Sequence, residues 1–513
     1  MTNERTTNAV RNIICGMMNR VIVILLPFIN RTALVYILGA SYLGLDSLFL
    51  SILQMLNIAE LGFSSAIVFN MYKPIAEDNY TEINALLKLY RTVYRIIGCV
   101  VLVVGVIIIP FLPKLIRSDL PSDLNLYSLY MIYLVNTVLG YWLFSYKKSL
   151  LSAYQREDII SNINSVIIIM KTGLQISMIY FFHLYYLYVL ILPLTTVIEN
   201  FIVAYYAHEL YPQCIPCGTI KVSVKKSIQK RLYGLMIQKV CSTSRNSLDS
   251  IVVSAFVGLN SVSIYGNYYC VMVGIHGLLL TVANAITAGV GNSVAKESIE
   301  KNHSDMLKIN FIYMWFASNL TICLLCVYQP FMKLWMGENM MFEINAVIAL
   351  CIYFYALCIG DIRFVYTTAT GLWYEGRYRA VLESITNLVL NILLGKYFGI
   401  VGIIAATIIS ILVINFGYGS TIIYTYYFKN KKAHIYYLYH FYFAAVTGIV
   451  GTICYRLCGY VKAQGILQIV VNAIICIVVT NCSLFIAYCK LPVYKEAKKM
   501  ILNILGRYKK RVS

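Results

Sequence analysis

Long apolar runs, separated by short charged or Pro- and Gly-containing breaks, recur along the whole chain. Fourteen of them read as membrane spans, at 10–38, 47–72, 84–111, 125–146, 159–182, 185–207, 232–256, 262–290, 309–331, 345–373, 380–395, 400–428, 434–455 and 466–488. Only helices and closed barrels satisfy backbone polar groups in hydrocarbon, and runs of about 20 apolar residues are helix-length, unlike the alternating ten-residue strands of a barrel. The pattern predicts an all-α polytopic membrane protein with no room for a sizeable soluble domain.

Basic residues orient the spans, because cytoplasmic loops retain Lys and Arg. With the N-terminus inside, thirty of the 42 Lys and Arg fall on the cytoplasmic side, from Arg5 and Arg11 to the tail Lys490 to Arg511. Six fall outside: Lys114, Arg117, Lys333, Lys396, Arg456 and Lys462. Both termini are therefore expected in the cytoplasm. The composition agrees, with 60% hydrophobic and 12% charged residues and a mean hydropathy of +0.72, which excludes a soluble globular protein. The excess of 42 basic over 22 acidic residues, +20, reads as contact with anionic inner-leaflet lipid and not with nucleic acid. No small-residue cleavage site follows the polar Met1 to Arg11, so the first span is expected to be retained. Most of the fifteen cysteines, such as Cys99, Cys241, Cys270, Cys351 and Cys476, lie in apolar runs, where cysteine acts as a small hydrophobe. Many of the 44 tyrosines, among them Tyr36, Tyr42, Tyr185, Tyr186, Tyr436 and Tyr437, sit near span ends and read chiefly as interfacial belts, with others free to stack on sugar rings.

The chain also repeats itself at an offset of about 219 residues. Gly39-Ala-Ser-Tyr-Leu-Gly-Leu45 corresponds to Gly258-Leu-Asn-Ser-Val-Ser-Ile264, Pro110-Phe-Leu-Pro-Lys-Leu-Ile116 to Pro330-Phe-Met-Lys-Leu-Trp335 with one deletion, and Tyr154-Gln-Arg-Glu157 to Trp373-Tyr-Glu-Gly376. Six spans per repeat give two like-oriented lobes related by a pseudo-two-fold axis along the membrane normal. The expected organisation is an N-lobe over 1–207, a basic cytoplasmic linker over 208–231, a C-lobe over 232–428, two appended spans within 429–490 and a basic tail over 491–513. The linker reads equally as an amphipathic helix on anionic headgroups or an unstructured connector.

Asn19-Arg-Val-Ile-Val-Ile-Leu-Leu-Pro-Phe-Ile-Asn-Arg31, the turn Leu38-Gly-Ala-Ser-Tyr-Leu-Gly-Leu45 and Ala59-Glu-Leu-Gly-Phe-Ser-Ser-Ala66 resemble the opening of Wzx-type flippases. These belong to the polysaccharide transporter branch of the multidrug/oligosaccharidyl-lipid/polysaccharide exporter (MOP) superfamily. The resemblance implies export of an undecaprenyl-diphosphate-linked oligosaccharide to the outer leaflet by alternating access. It places the chain in a bacterial cell membrane, alongside a polysaccharide polymerase or glycosyltransferases, as a monomer without cofactor or metal.

A charge in mid-bilayer costs roughly 2.5–3.5 kcal/mol on insertion scales, so ionisable residues inside spans are candidates for function. Arg20 and Arg31 stand eleven residues apart, about 20° off one helical face, with Pro27 between them as a kink. Both are candidate cavity cations. Arg20 plus 219 is Lys239, a matching cation in the second repeat. Arginine suits a diphosphate because its planar fork donates paired hydrogen bonds and stays charged when desolvated. Arg245 and Asp249 are four apart and read as a structural ion pair or as cavity residues. Glu60 is a cavity residue, either for ion coupling or for pairing with a span-one arginine, and Asn57 corresponds to His276 through the repeat. Asp361 and Arg363 read as cavity groups or as partners of each other or of a neighbouring helix, and Lys171 as the answer to Glu199.

No G-x-x-x-x-G-K-[ST] occurs, and Gly289-Val-Gly291 lacks the following lysine, so nothing here binds a nucleotide in that manner. Cys214-Ile-Pro-Cys217 and Cys323-Leu-Leu-Cys326 lack the partner pair or histidines of a zinc finger, and no metal site is expected. The rival readings are a lipid II flippase, a multidrug antiporter and, from another class, a polytopic polymerase or glycosyltransferase. The short outer loops around 112–124 and 332–344 disfavour the enzyme.

Overall fold

The computed structural model describes the chain apart from residues 1, 58–67, 69, 73, 76, 117–120, 122, 155, 221–242, 244–246, 373–374, 430 and 513. Of residues 2–17, 20, 24, 285, 288, 295 and 503–512 it describes the backbone alone. Among the described residues there are helices and connectors but no strands. The chain divides into two compact units, Met1–Gly266 and Asn267–Ser513.

Unit 1 contains α1 (Thr2–Ile37), α2 (Ala40–Leu56), α3 (Tyr80–Ile108), α4 (Leu126–Trp142), α5 (Tyr146–Ala153), α6 (Glu157–Phe182) and α7 (Tyr185–Leu210). It also holds α8 (Ser247–Phe256) and the first turns of α9 (Leu259–Lys296). Helix starts follow their caps. The Asn79 side chain accepts from Glu82 N at 3.2 Å to open α3, and Asn125 accepts from Tyr127 N and Ser128 N at 3.1 Å to open α4. The predicted span 125–146 is not straight: α4 and α5 meet at 47°, with Phe144 at φ +54° in the break. Lys147 and Lys148 therefore sit on a helix within the bundle and not in a loop.

Unit 2 contains the rest of α9, then α10 (Ile299–Met336), α11 (Ile344–Ile359), α12 (Asp361–Thr370) and α13 (Arg377–Ile409). A π-helical stretch Ser410–Tyr418, α14 (Gly419–Tyr426), α15 (Ala433–Gly459), α16 (Gly465–Tyr488) and α17 (Pro492–Val512) complete it. Length and apolarity alone identify nine membrane-crossing helices among the described residues, or ten with the bent α4–α5 pair. The run Arg377–Tyr426 passes as one of them but is two spans. In a straight helix Asn387 and Thr407 would stand about 30 Å apart, yet Asn387 Nδ2 donates to Thr407 Oγ1 at 2.9 Å. The chain reverses at Gly399, at φ +56°, where the sequence predicted a break between 395 and 400. Large apolar side chains such as Val103, Ile107, Phe398 and Phe441 are exposed, as lipid-facing positions require. The chain is a multi-pass membrane protein.

The tyrosines depart from expectation. Tyr36 is exposed, but Tyr185 and Tyr436 are buried, as are Tyr90, Tyr130 and Tyr133. Tyr130 packs edge-on against Phe49 and Tyr90 edge-on against Tyr94, so much of the tyrosine builds the core and not a belt.

The repeat is visible in local geometry. Leu38 N and Gly39 N both donate to Leu34 O, at 3.0 and 3.1 Å, and Val257 N and Gly258 N both donate to Val253 O, at 2.9 and 3.0 Å. Gly39 at φ +113° and Gly258 at φ +120° end the two helices in a conformation that favours glycine. Within unit 1 the next residues meet, Ser41 Oγ lying 3.0 Å from Asn260 Oδ1, 219 positions later.

Candidate functional site

Among the described residues, polar side chains inside the apolar helices gather in groups in both units. In unit 1 the first is Asp46 on α2. Tyr133 Oη of α4 donates to Asp46 Oδ1 at 2.5 Å and lies 3.1 Å from Tyr185 Oη of α7. Arg31 and Lys171 are the cations that act on this carboxylate. The Arg31 guanidinium reaches Ser47 Oγ at 3.5 Å and packs against Gly266, where a Cβ would collide with it. One layer away, Asn30 Nδ2 donates to Gln175 Oε1 at 3.2 Å and to Tyr188 Oη at 2.9 Å, tying α1 to α6 and α7. The cluster joins the five helices α1, α2, α4, α6 and α7, and each polar group answers the cost of burying another.

Beside it lies a cavity of about 630 Å³ whose polar lining includes Gln54, Asn57, Asn136, Thr196, Lys148 and Ser149. Tyr141 Oη donates to Asn57 Oδ1 at 2.9 Å, and Thr196 Oγ1 donates to Asn136 Oδ1 at 2.7 Å. Among the described residues, Lys148 supplies the cation of the lining, and it pairs with Glu199 at 2.5 Å. A wall of tyrosines and amides with a neutralised lysine offers hydrogen bonds and aromatic faces more than net charge.

In unit 2, Asp361 opens α12 and receives two partners: Tyr313 Oη of α10 at 2.6 Å and His276 Nε2 of α9 at 2.9 Å. Ligand atoms of His276, Cys358 and Asp361 lie within 4.8 Å of one another. A second group forms around Arg363. Its Nη2 donates to Asn415 Oδ1 at 2.7 Å, Asn415 Nδ2 donates to Glu383 Oε2 at 2.9 Å, and Arg379 Nη1 reaches the same carboxylate at 3.4 Å. Asn415 lies in the π-helical stretch, and Gly419 leaves the space the Arg363 guanidinium fills.

No protein family profile matches the sequence, and no curated protein does. Solved structures do match the fold. One, titled lipid II flippase MurJ in an inward closed conformation, has a TM-score of 0.67 at 15% identity and covers 94% of this chain and 99% of its own. Another, an inward-facing multidrug resistance MATE transporter of the MOP superfamily, has a TM-score of 0.61 at 13% identity, covering 83% and 99%. A MOP superfamily transporter from Pyrococcus furiosus scores 0.53 at 14% identity, covering 83% and 96%. The chain has the fold of the MOP-superfamily transporters.

On this MOP fold the sequence-derived candidates separate. Arg31 and Asn57 are in the unit 1 groups, and His276, Asp361 and Arg363 in those of unit 2. Asp249 is buried and accepts from Tyr265 Oη at 3.1 Å. The side chain of Arg20, together with Glu60, Lys239 and Arg245, lies outside the described residues. One expected pairing is corrected: Glu199 takes Lys148 as its direct partner, while Lys171 acts through space on Asp46 and on Glu199. Of the alternatives for Asp361 and Arg363, each takes partners outside its own helix, because two residues along a helix are about 200° apart and do not face each other.

Asp46, Lys148, Tyr313, Arg379, Glu383 and Asn415 were missed. Asp46 falls just before the predicted span 47–72, but α2 begins at Ala40 and carries it into the bundle. Lys148 and Arg379 were assigned to cytoplasmic loops, and both lie on helices that continue past the apolar run. Asn415 gives no charge signal, and only its contact with Arg363 and Glu383 reveals it.

Proposed function

We propose that this chain is a transporter, not an enzyme, that flips an undecaprenyl-diphosphate-linked oligosaccharide from the inner to the outer leaflet by alternating access. The cargo would serve surface polysaccharide synthesis in a bacterial cell membrane, with both termini cytoplasmic. The observation that carries the reading is how far the fold likeness extends. The MurJ structure, whose title names it a lipid II flippase, spans 94% of the chain, whereas the MATE structure spans 83%. Residues 1–428 of 513 make up 83% of the chain, so the larger share leaves room for the appended helices α15 and α16 as well. The polar groups inside the helices support it further, since a lipid-linked glycan needs a wet, hydrogen-bonding path for its headgroup. Arg31, with Arg20 and Lys239, would hold the diphosphate, and the basic linker and tail would rest on anionic lipid.

The test reconstitutes the purified chain in liposomes with fluorescent undecaprenyl-diphosphate glycan and measures leaflet exchange. Wild type should exchange the lipid and Arg20→Ala and Arg31→Ala should do so more slowly. Unchanged exchange in both variants removes the assigned cations. Exchange of lipid II in preference to other glycans would make lipid II the cargo, and sugar transfer without exchange would make the chain an enzyme.

A further inference from the structure

Cys323-Leu-Leu-Cys326 lies on α10 inside the membrane, and the fold brings it the partners its sequence lacks. Cys326 of α10, Cys458 of α15 and Cys476 of α16 are all buried, and their Sγ atoms lie within 4.8 Å of one another. Cys323 and Cys454 belong to the same packed cluster. The surroundings include Ile322, Val450, Ile475 and Val479, and among the described residues the grouped ligand atoms are all sulfur. Cys476 donates to Ile322 O at 3.9 Å and Cys458 to Asn472 O at 4.0 Å, both long contacts.

We propose that Cys326, Cys458 and Cys476 form a binding site for Cu(I), clamping α15 and α16 to α10. Sulfur-only donors select soft cations, and a three-sulfur site suits an ion content with few ligands, whereas structural zinc closes its shell with four. Metal–sulfur bonds of about 2.3 Å separate the sulfurs of such a site by roughly 4 Å, so the thiols need draw in by no more than about an ångström. Charge points the same way. A monovalent ion is neutralised by one thiolate, so one proton passes to the buffer, whereas a divalent ion needs two thiols to ionise in an apolar interior. An apolar groove of about 290 Å³ runs past Cys323 and Ala473 to the edge of the cluster and gives a route in.

The full chain, purified in detergent under anaerobic reducing conditions, is titrated with Cu(I) held by bathocuproine disulfonate. One equivalent per chain should leave the chelator, with thiolate-to-copper charge-transfer absorption and a higher melting temperature. Outer-shell changes at metal sites already cost about 10–100-fold in affinity, so Cys326→Ser and Cys476→Ser should each cost at least tenfold, and the exposed Cys482→Ser nothing. X-ray absorption on the wild type, which needs no variant to fold, should give a sulfur-only first shell. No uptake, uptake that both cluster variants retain, nitrogen or oxygen in that shell, or uptake of Zn²⁺ in preference to Cu(I) would each overturn the assignment.

Discussion

His276 Nε2 lies 2.9 Å from Asp361, and Asn57, which corresponds to His276 through the repeat, accepts from Tyr141 Oη at 2.9 Å. Asn57 plus 219 is His276, and Tyr141 plus 219 is Gly360, the neighbour of Asp361. The matching helix position thus makes a contact in each repeat, once with a neutral partner and once in an ionisable pair. A hydrogen bond to a charged group contributes about 1.5–3 kcal/mol and a neutral one about 0.5–1.5. His276→Ala should therefore destabilise the purified protein more than Tyr141→Phe, by a factor of about two in unfolding free energy. Equal losses in denaturant titrations would mean that the His276–Asp361 contact contributes no more than the neutral one.

Glu383 answers both Arg363, through Asn415, and Arg379 directly. All three charged residues are buried. Removing one partner of a buried charge group costs about 3–5 kcal/mol, because the remaining charge stays desolvated. Glu383→Leu should accordingly lower the melting temperature severely, and Arg379→Met added to it should recover part of the loss by removing one of the stranded cations. A double variant no more stable than Glu383→Leu would show that Arg379 is not stranded when Glu383 is gone.

The sequence made the architecture legible because hydrocarbon imposes it. Span length and the Gly39–Gly258 correspondence survive in the structure, since each reflects a local rule: apolar length, and a glycine conformation at a helix end. The candidate groups were legible where a charge interrupts an apolar run, as at Arg31, Asp361 and Arg363, or where the repeat pairs two positions, as at Asn57 and His276. Asp46 and Lys148 escaped because helices α2 and α5 extend beyond the apolar stretch, so a residue that looks like loop is inside the bundle. Pair identities escaped as well: Glu199 finds Lys148 and not Lys171 because the choice between two cations depends on helix rotation, which hydropathy does not encode.

The two cysteines of Cys214-Ile-Pro-Cys217 should react very differently. Cys214 is buried against Tyr154, its Sγ 3.8 Å from Tyr154 Oη, and burial pushes its thiol pKa up; Cys217 is exposed. The thiolate is the reactive form, so at pH 7 Cys217 should take a maleimide promptly and Cys214 slowly, with the Cys214 rate climbing as pH rises. In cells, a membrane-impermeant reagent should reach Cys217 only after permeabilisation, as a cytoplasmic linker requires. Mass spectrometry of the labelled peptide reads both outcomes, and labelling of Cys217 in intact cells would invert the assigned orientation.

The Lys148–Glu199 pair sets the charge of the 630 Å³ cavity, and its two halves make opposite forecasts. Glu199→Gln frees the Lys148 ammonium toward the cavity, whereas Lys148→Met leaves the glutamate there instead. If an anionic headgroup enters this cavity during flipping, a unit charge some 5 Å away at an effective dielectric between about 20 and 80 is worth on the order of 1–3 kcal/mol, close to a decade in affinity or more. Leaflet exchange at sub-saturating lipid should then rise in Glu199→Gln and fall in Lys148→Met, each by about tenfold, with the contrast shrinking at high salt. A cationic cargo would reverse the two signs, and identical losses in both variants would assign the pair to holding α5 against α7 and not to the passage of the headgroup.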